Sequence, residues 1–406
     1  MKINVTLARF FRNYLDILGV LDGAHAYKGP DVAQIDLTNN CNNDCIGCWC
    51  NSPFLGEKKI SPDIKSQILP YKKAIELIDE LYKMGTRQIY YAGGGEPLMH
   101  PQIMEILEHT KRRGLECCLN TNFTLIDEKK IKKLVDSRVD FLTVSVWAGT
   151  AKVYAATHPN KDEGTFYKIK EMLSLLNSFK HKRPVIKLYN VVFNMNYHEI
   201  KEMVEFGLQT KSEMIEFTVI DTIPGKTDVL LLNDKQRQAL LEDCKKLKEK
   251  YENTDFKNKI KLFGFEQFVR RISNVNAKAA EYDTDIIDAI PCYAGWAFVR
   301  ILADGNVNSC LKSHRFPVGN ILREEFKQIW NGSLQRCFRE KTTQFQKHDP
   351  FFSLIGNDPN SNMGCYKSCD NIGHNMNMHG KLASRNRLEK KFLKGTASLM
   401  KFIRNG

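Results

Sequence analysis

The hydrophobic positions of the chain change period repeatedly between about residues 32 and 252. Short apolar runs of strand character are each followed by a longer segment in which apolar residues recur every three or four positions, the pattern of an amphipathic helix. Such alternating units form parallel sheets, open or barrel-like, with their chemistry at the carboxyl ends of the strands. The pattern predicts strands at 32–38, 87–93, 115–121, 141–148, 185–193 and 213–221, and helices near 71–84, 101–113, 127–136, 164–179, 197–208 and 233–252.

The segments on either side have a different pattern. Residues 255–290 are charged and helical or irregular, and after Pro291 the chain becomes rich in Cys, Gly and Asn with short strands. Asp304 and Gly305, within ILADGNVNSC, predict a tight hairpin turn. We therefore expect an amphipathic N-terminal extension at 1–31, an α/β body at 32–254, a smaller second domain at 255–380 and a tail at 381–406.

Composition excludes several classes of protein. The chain has 406 residues, of which 42% are hydrophobic and 26% charged, as in ordinary globular proteins. No apolar run is long enough to span a bilayer, and Arg9, Arg12 and Asp16 interrupt the N-terminal segment, so neither a membrane span nor a secretory signal is expected. We expect a cytoplasmic protein, in which the twelve cysteines stay reduced and serve metal ligation or catalysis before disulfides.

The net charge of +13 is concentrated near the C-terminus, because residues 381–406 carry eight Lys or Arg and one Glu. Leu388, Phe392, Leu399 and Ile403 recur there at helical spacing. The segment is interpreted as a basic amphipathic helix, which either packs on the protein body or makes peripheral contact with an anionic surface. Since the charge is localised in this tail, we expect no nucleic-acid partner.

Three cysteines follow the first predicted strand. Cys41, Cys45 and Cys48 form a CxxxCxxC pattern within DLTNNCNNDCIGCWCNSP, in a loop that can turn three thiolates toward one cluster. Zinc usually requires a fourth nearby ligand and paired CxxC spacing. Three thiolates on a [4Fe–4S] cluster leave one iron without a protein ligand, where a substrate can bind. Cys50 is either a further ligand or a buried bystander.

A glycine-rich loop follows the second predicted strand. In YYAGGGEPLMHP, the three glycines let the backbone approach a ligand, Glu96 supplies a carboxylate and Pro97 fixes the exit of the chain. A run of glycines alone more often marks a turn. This loop is a binding candidate because the ends of the first and second strands would be neighbours and would share a pocket.

Together, the CxxxCxxC loop and the GGGEP loop resemble the radical S-adenosylmethionine (SAM) superfamily. The resemblance implies a partial six-stranded (β/α)6 TIM-like barrel in which Cys41, Cys45 and Cys48 hold a [4Fe–4S] cluster. The open iron would bind the amino and carboxylate groups of SAM, and Gly93, Gly94, Gly95, Glu96 and Pro97 would line its methionine end. Reductive cleavage of SAM would give a 5′-deoxyadenosyl radical, which abstracts hydrogen from a substrate carbon in a closed cavity. The residue before the third cysteine, commonly aromatic in that superfamily, is Gly47 here.

Other strand ends resemble superfamily positions that contact the cofactor. These are Asn122 after strand three, Ser145 at the end of strand four and Asn190 in strand five, although each also suits a strand or turn cap. Cys117 and Cys118 lie on strand three, where alternation points one of them inward. Cys118 is the candidate hydrogen donor to a substrate radical, and burial in the core is its alternative role.

The cysteines of the second domain resemble a SPASM or twitch domain. Cys292 and Cys310, on either side of the predicted hairpin, match its opening, and VGNILREEFKQIWNG is similar to the segment that follows. Cys365 and Cys369 would complete four ligands to one auxiliary [4Fe–4S] cluster, with a zinc knuckle as the alternative. A full SPASM domain has seven cysteines and two auxiliary clusters. The intervening CxxC is missing here, which favours the twitch form, and the role of Cys337 stays open.

The resemblance leaves several substrates open. A fully ligated auxiliary cluster transfers electrons, which fits oxidation, dehydrogenation or epimerisation of a sugar, an aminocyclitol or a related small molecule, under anaerobic conditions with a flavodoxin- or ferredoxin-like reductant. A peptide- or protein-modifying maturase is the alternative. Only about thirty residues precede the first strand, without a strand-rich recognition module, which favours the small substrate. A non-enzymatic iron–sulfur or zinc-binding protein would not explain the GGGEP loop.

Overall fold

The structure, a computed structural model, describes residues 5–253, 255–344, 349–356, 364–365 and 367–405. These residues form two compact units. Unit 1 contains the described residues within 1–35, 69–89 and 283–406, and unit 2 contains those within 36–68 and 90–282. The domain boundaries inferred above stay a prediction.

The strands and helices follow one another in the predicted order. The strands are β1 (Val32–Ile35), β2 (Gln88–Tyr91), β3 (Glu116–Thr121), β4 (Phe141–Ser145), β5 (Val185–Val192), β6 (Met214–Val219), β7 (Lys261–Phe263), β8 (Phe298–Ile301), β9 (Asn306–Asn308) and β10 (Gly319–Asn320). The helices are α1 (Val5–Asp22), α2 (Pro62–Lys65), α3 (Tyr71–Lys83), α4 (Ile103–Arg112), α5 (Glu128–Asp136), α6 (Ala151–Thr157), α7 (Glu163–Phe179), α8 (Ile200–Gln209), α9 (Asp234–Asn253), α10 (Phe256–Lys259), α11 (Phe265–Ser273), α12 (Thr284–Ala289), α13 (Ala294–Ala297), α14 (Phe326–Trp330), α15 (Ser333–Thr343), α16 (Ile372–Ala383) and α17 (Arg387–Asn405).

Unit 2 is built on parallel strands. Strands β3, β4, β5, β6 and β7 pair in that order, all in parallel. In β5, partly exposed residues such as Lys187 and Tyr189 alternate with buried ones such as Leu188, which gives the strand one polar and one apolar face. Helices return between the strands, and Asp127 and Asp162 cap α5 and α7 by accepting backbone hydrogen bonds.

Unit 1 contains the cysteine-rich C-terminal region. Strand β8 pairs in parallel with β1, and β9 pairs antiparallel with both β8 and β10. The predicted hairpin turn between β8 and β9 is confirmed. Gly305 has a φ of 85° there, and the Asp304 carboxylate accepts the N–H of Asn306 at 3.0 Å.

The predicted α/β class and partial-barrel architecture are confirmed. Parallel strands alternate with helices, and the sheet does not close on itself within the described residues. Strand β7, in the charged segment after residue 254, was not predicted. All twelve cysteines are free thiols. Among the helices that the structure describes, none combines the length and apolar character needed to cross a bilayer.

Candidate functional site

The three-cysteine loop surrounds its sulfur atoms with backbone donors. The N–H of Asn43 donates to the Sγ of Cys41 at 3.5 Å. The N–H groups of Cys50 and Asn51 both donate to the Sγ of Cys48 at 3.4 Å. Hydrogen bonds to cluster sulfurs are one of the means by which a protein sets the reduction potential of an iron–sulfur centre. The loop therefore provides both the thiols and the donors that such a centre requires.

The three thiols also affect one another electrostatically. Burial raises the pKa of Cys41 to about 12. Burial, followed by the neighbouring Cys48 and Cys41 thiols, raises the pKa of Cys45 well above its ordinary value. A hydrogen bond from the Cys50 side chain lowers the pKa of Cys48 to about 6. The thiols thus lie close enough to interact electrostatically. Iron binding would displace the protons that burial retains on Cys41 and Cys45.

A single metal ion would require several ligand side chains that converge on one point. No three His, Cys, Asp or Glu side chains converge to chelate one ion anywhere in the part of the chain that the structure describes. A [4Fe–4S] cluster has a different requirement, because each thiolate binds its own iron atom. Three neighbouring thiols with N–H donors to two of them fit that requirement.

The glycines of GGGEP pack against the segment that leads to Cys41. The N–H of Gly94 donates to Asp36 Oδ2 at 3.2 Å, and a Cβ on Gly93, whose φ is 136°, would overlap the same carboxylate. A Cβ on Gly95 would overlap the carbonyl oxygen of Asn40. Any side chain would therefore separate the two loops, which is why this approach requires glycine.

Glu96 ties three parts of the site together. Its N–H donates to the carbonyl of Asn40 at 2.8 Å. Its carboxylate accepts the hydroxyl of Thr121 at 2.6 Å and the N–H of Asn122 at 2.7 Å. The side chain is 3% exposed, and burial raises its pKa to about 7. Pro97 follows and begins a short 3-10 turn. The carboxylate thus holds the end of β3 against the cysteine loop.

The other predicted cofactor contacts lie at the expected strand ends. The amide of Asn122 donates to Asn42 Oδ1, in the cysteine loop, at 2.9 Å. Ser145 is the last residue of β4. Asn190 is 1% exposed, and its amide oxygen accepts the N–H of Trp147 at 3.0 Å. Asn190 therefore supports the chain after β4, and direct contact of these three residues with SAM stays a prediction.

Trp147 is a residue that sequence reasoning missed. It has a φ of 60° and packs edge-on to Phe193, with 6.2 Å between ring centroids. A Cβ on Gly47 would lie 2.9 Å from Ile220 and 3.5 Å from the Trp147 ring. The space beside Gly47, where the superfamily commonly has an aromatic residue, is thus filled from the end of β4. The available signal was a tryptophan at a strand end combined with the missing aromatic at position 47.

Several buried polar atoms near this site have no hydrogen-bond partner among the described residues, and they include Trp147 Nε1, Asn120 Oδ1 and both side-chain polar atoms of Asn51. Buried polar groups are normally satisfied, so such atoms suit a site that binds a polar group. Asn120 lies on β3, Trp147 lies two residues after β4, and Asn51 follows the three cysteines. The residues present therefore fit a cluster with a bound polar cofactor.

Cys118 lies deeper on β3 than the residues of the strand end. It shares a strand face with Asn120, pairs in register with Phe141 and is 1% exposed. Burial raises the pKa of Tyr90, and the neighbouring Cys118 thiol adds to that rise. Cys117 points to the opposite face and is fully buried. The hydrogen-donor role of Cys118 stays a prediction.

A second site lies in unit 1, where Cys292, Cys310, Cys365 and Cys369 line one cavity. Burial raises the pKa of Cys292 to about 12 and also raises those of the other three thiols. The amide of Asn375 donates to the sulfurs of Cys292 and Cys369, at 3.7 and 3.8 Å. Four facing thiols with an amide donor suit a fully ligated cluster. Cys337 lies on α15, and its role stays open.

Comparison with known proteins assigns the family. The model of the radical SAM superfamily matches residues 35–207, and that of the SPASM iron–sulfur cluster-binding domain matches residues 292–350. The chain belongs to the radical SAM superfamily and carries a SPASM domain. It is an enzyme whose cofactors are SAM, the [4Fe–4S] cluster of the radical SAM domain and the auxiliary iron–sulfur centre of the SPASM domain.

Two relatives in sequence and one solved structure illustrate the similarity. The chain is 22% identical to the tungsten-containing aldehyde ferredoxin oxidoreductase cofactor-modifying protein of Pyrococcus furiosus, over 77% of this chain and 83% of that protein. It is 22% identical to the antilisterial bacteriocin subtilosin biosynthesis protein AlbA of Bacillus subtilis, over 85% of this chain and 69% of AlbA. Streptococcus suis SuiB bound to S-adenosylmethionine has the same fold, with a TM-score of 0.58 and 16% identity. The match covers 84% of this chain and 73% of the SuiB chain. SuiB has also been solved bound to its precursor peptide SuiA.

Proposed function

We propose that this radical SAM enzyme abstracts hydrogen from a peptide substrate. Cys41, Cys45 and Cys48 would hold the cluster, and the loop from Gly93 to Pro97 would bind the methionine end of SAM. SAM bound in this way supplies, on one-electron reduction, the 5′-deoxyadenosyl radical that abstracts hydrogen. The observation that carries the proposal is the close packing of the GGGEP loop on the cysteine loop.

The chain's own residues would hold this site rigid and dry. Glu96 fixes the end of β3 to the cysteine loop, so that the thiols and Asn122 keep a constant spacing. Trp147 and Ile220 pack against the loop at Gly47 and would help to exclude water from it. A reactive radical requires this exclusion, because solvent and nearby side chains would otherwise compete with the substrate.

Two observations support a peptide as the substrate. AlbA, whose name refers to the biosynthesis of a bacteriocin, aligns with 85% of this chain. On the partly exposed face of β5 and β6, Lys187 and Glu216 form an ion pair of 2.5 Å and offer charges of both signs. The backbone amides and charged side chains of a peptide substrate can bind Lys187 and Glu216. Oxidation of a sugar or aminocyclitol, expected from the sequence, finds no support in the comparisons.

The proposal extends to the role of the auxiliary cluster and to the compartment in which the enzyme works. Cys292, Cys310, Cys365 and Cys369 would bind a cluster that exchanges electrons with a substrate radical, and a flavodoxin- or ferredoxin-like protein would supply the initial electron. All twelve cysteines are free, which favours the reducing cytoplasm.

The test begins with SAM cleavage in the absence of substrate. We expect the anaerobically reconstituted protein, given reductant and SAM, to form 5′-deoxyadenosine, and Cys45→Ala to form none. Cys244→Ala, which removes a buried thiol of α9 that lies in neither site, is the matched control and should remain active. Deuterated versions of peptides that neighbouring genes encode are then added as substrates. Deuterium in the 5′-deoxyadenosine would support the peptide substrate, whereas transfer only from deuterated sugars would refute it.

A further inference from the structure

Helix α17 exposes an unusual number of large apolar side chains. Leu388, Phe392, Leu399, Phe402 and Ile403 are each between 59% and 79% exposed. At 100° per residue, all five fall within an arc of about 100° on one side of the helix. We call this surface the α17 apolar face. Contiguous exposed apolar patches of this kind mark interaction sites on soluble proteins.

The opposite side of α17 is already fixed. Leu393 and Ala397 are buried against Ile17 and Leu18 of α1 in one hydrophobic cluster. Arg404 forms an ion pair with Asp22 through Nη1 and Oδ2, at 2.9 Å. The helix therefore cannot turn its exposed apolar residues inward without losing this packing and burying charge. None of the residues that the structure describes covers the α17 apolar face.

Basic residues follow one edge of this face. Arg387, Lys391 and Lys394 are exposed along that edge of α17, Lys390 and Lys401 lie on the far side of the helix, and Glu389, the one acidic residue of the helix, lies at the other edge. Apolar side chains flanked by lysines match the chemistry of a lipid surface with anionic headgroups, where acyl chains meet phosphates. Protein–protein interfaces are, by contrast, depleted of lysine relative to the rest of the protein surface.

We propose that the α17 apolar face docks on an anionic phospholipid bilayer. The five apolar side chains enter the region between headgroups and acyl chains, and Arg387, Lys391 and Lys394 contact the anionic surface. The contact is peripheral, and it places the enzyme at a membrane without a spanning helix. The inference is independent of the substrate proposed above.

The test is flotation of the iron-loaded full chain with vesicles of phosphatidylglycerol and phosphatidylcholine. We expect binding to the anionic vesicles, weak binding to pure phosphatidylcholine, and release as salt increases. The double variant Phe392→Gln/Phe402→Gln should bind about a hundredfold more weakly, because two apolar anchors are lost. Both side chains are exposed, so iron content and 5′-deoxyadenosine formation should stay unchanged.

The matched control is Val275→Gln, which changes an apolar residue that is 77% exposed on unit 2 and should not alter binding. Lys391→Glu/Lys394→Glu should abolish the preference for anionic vesicles. The proposal is overturned if wild type ignores anionic vesicles or if Phe392→Gln/Phe402→Gln binds them equally well. It is also overturned if that variant only converts a dimer into monomers, since the face would then join two copies.

Discussion

The packing of Gly95 on the cysteine loop yields the most direct test of the site. In Gly95→Ala, the new Cβ would lie 2.6 Å from the carbonyl carbon of Asn39 and would overlap the carbonyl oxygen of Asn40. Both atoms belong to backbone, which cannot rotate away as a side chain can. The two loops must therefore separate by about 1 Å to restore van der Waals contact.

That displacement sets the expected size of the effect. Overpacking of this kind costs about 1–3 kcal/mol of folding free energy, which a chain of this size tolerates. The effect on catalysis should be larger, because a shift of about 1 Å between positioned groups costs about a hundredfold in rate. We expect Gly95→Ala to fold and bind iron while forming 5′-deoxyadenosine about a hundredfold more slowly.

The assay combines anaerobic 5′-deoxyadenosine formation, iron content and the electron paramagnetic resonance spectrum of the reduced cluster with and without SAM. Gly380→Ala is the matched control, because a Cβ there meets nothing within 4 Å and the residue lies inside α16. It should retain full activity and gain up to about 1 kcal/mol of stability. Gly95→Ala with a wild-type rate and an unchanged response to SAM would refute the reasoning, and equal losses in both variants would attribute the effect to general instability.

Two further predictions concern Glu96 and the auxiliary site. The folded protein holds the Glu96 proton up to about pH 7, whereas the unfolded chain releases it near pH 4.5. The contribution of protonated Glu96 to the free energy of unfolding is therefore complete below about pH 4.5 and is lost as the pH rises through about 7. This change amounts to about 3 kcal/mol. In urea unfolding of the apoprotein, Glu96→Gln should remove this dependence, and an unchanged pH slope would contradict the assignment. Cys365→Ser should lower iron from about eight to about four per chain while SAM cleavage continues, and full iron retention would show that Cys365 is not a ligand.

The sequence alone determined the order of the elements and the chemistry of both cysteine sites. Strand and helix periods are local properties, so the six units and the turn at Asp304 and Gly305 could be read without tertiary contacts. The CxxxCxxC and GGGEP loops were recognisable because cluster ligation and close backbone approach restrict residue type at each position. These signals led to the radical SAM fold and its cofactors.

Only the tertiary structure decided how distant segments complete the site. Trp147 covers Gly47 from the end of another strand, and Glu96 is already held by Thr121 and Asn122. Likewise, the sequence predicted a basic amphipathic tail, but packing against α1 decided which face of α17 stays exposed. Each of these facts depends on which side chains share a space after folding, and residues far apart in the chain carry no local pattern that records it.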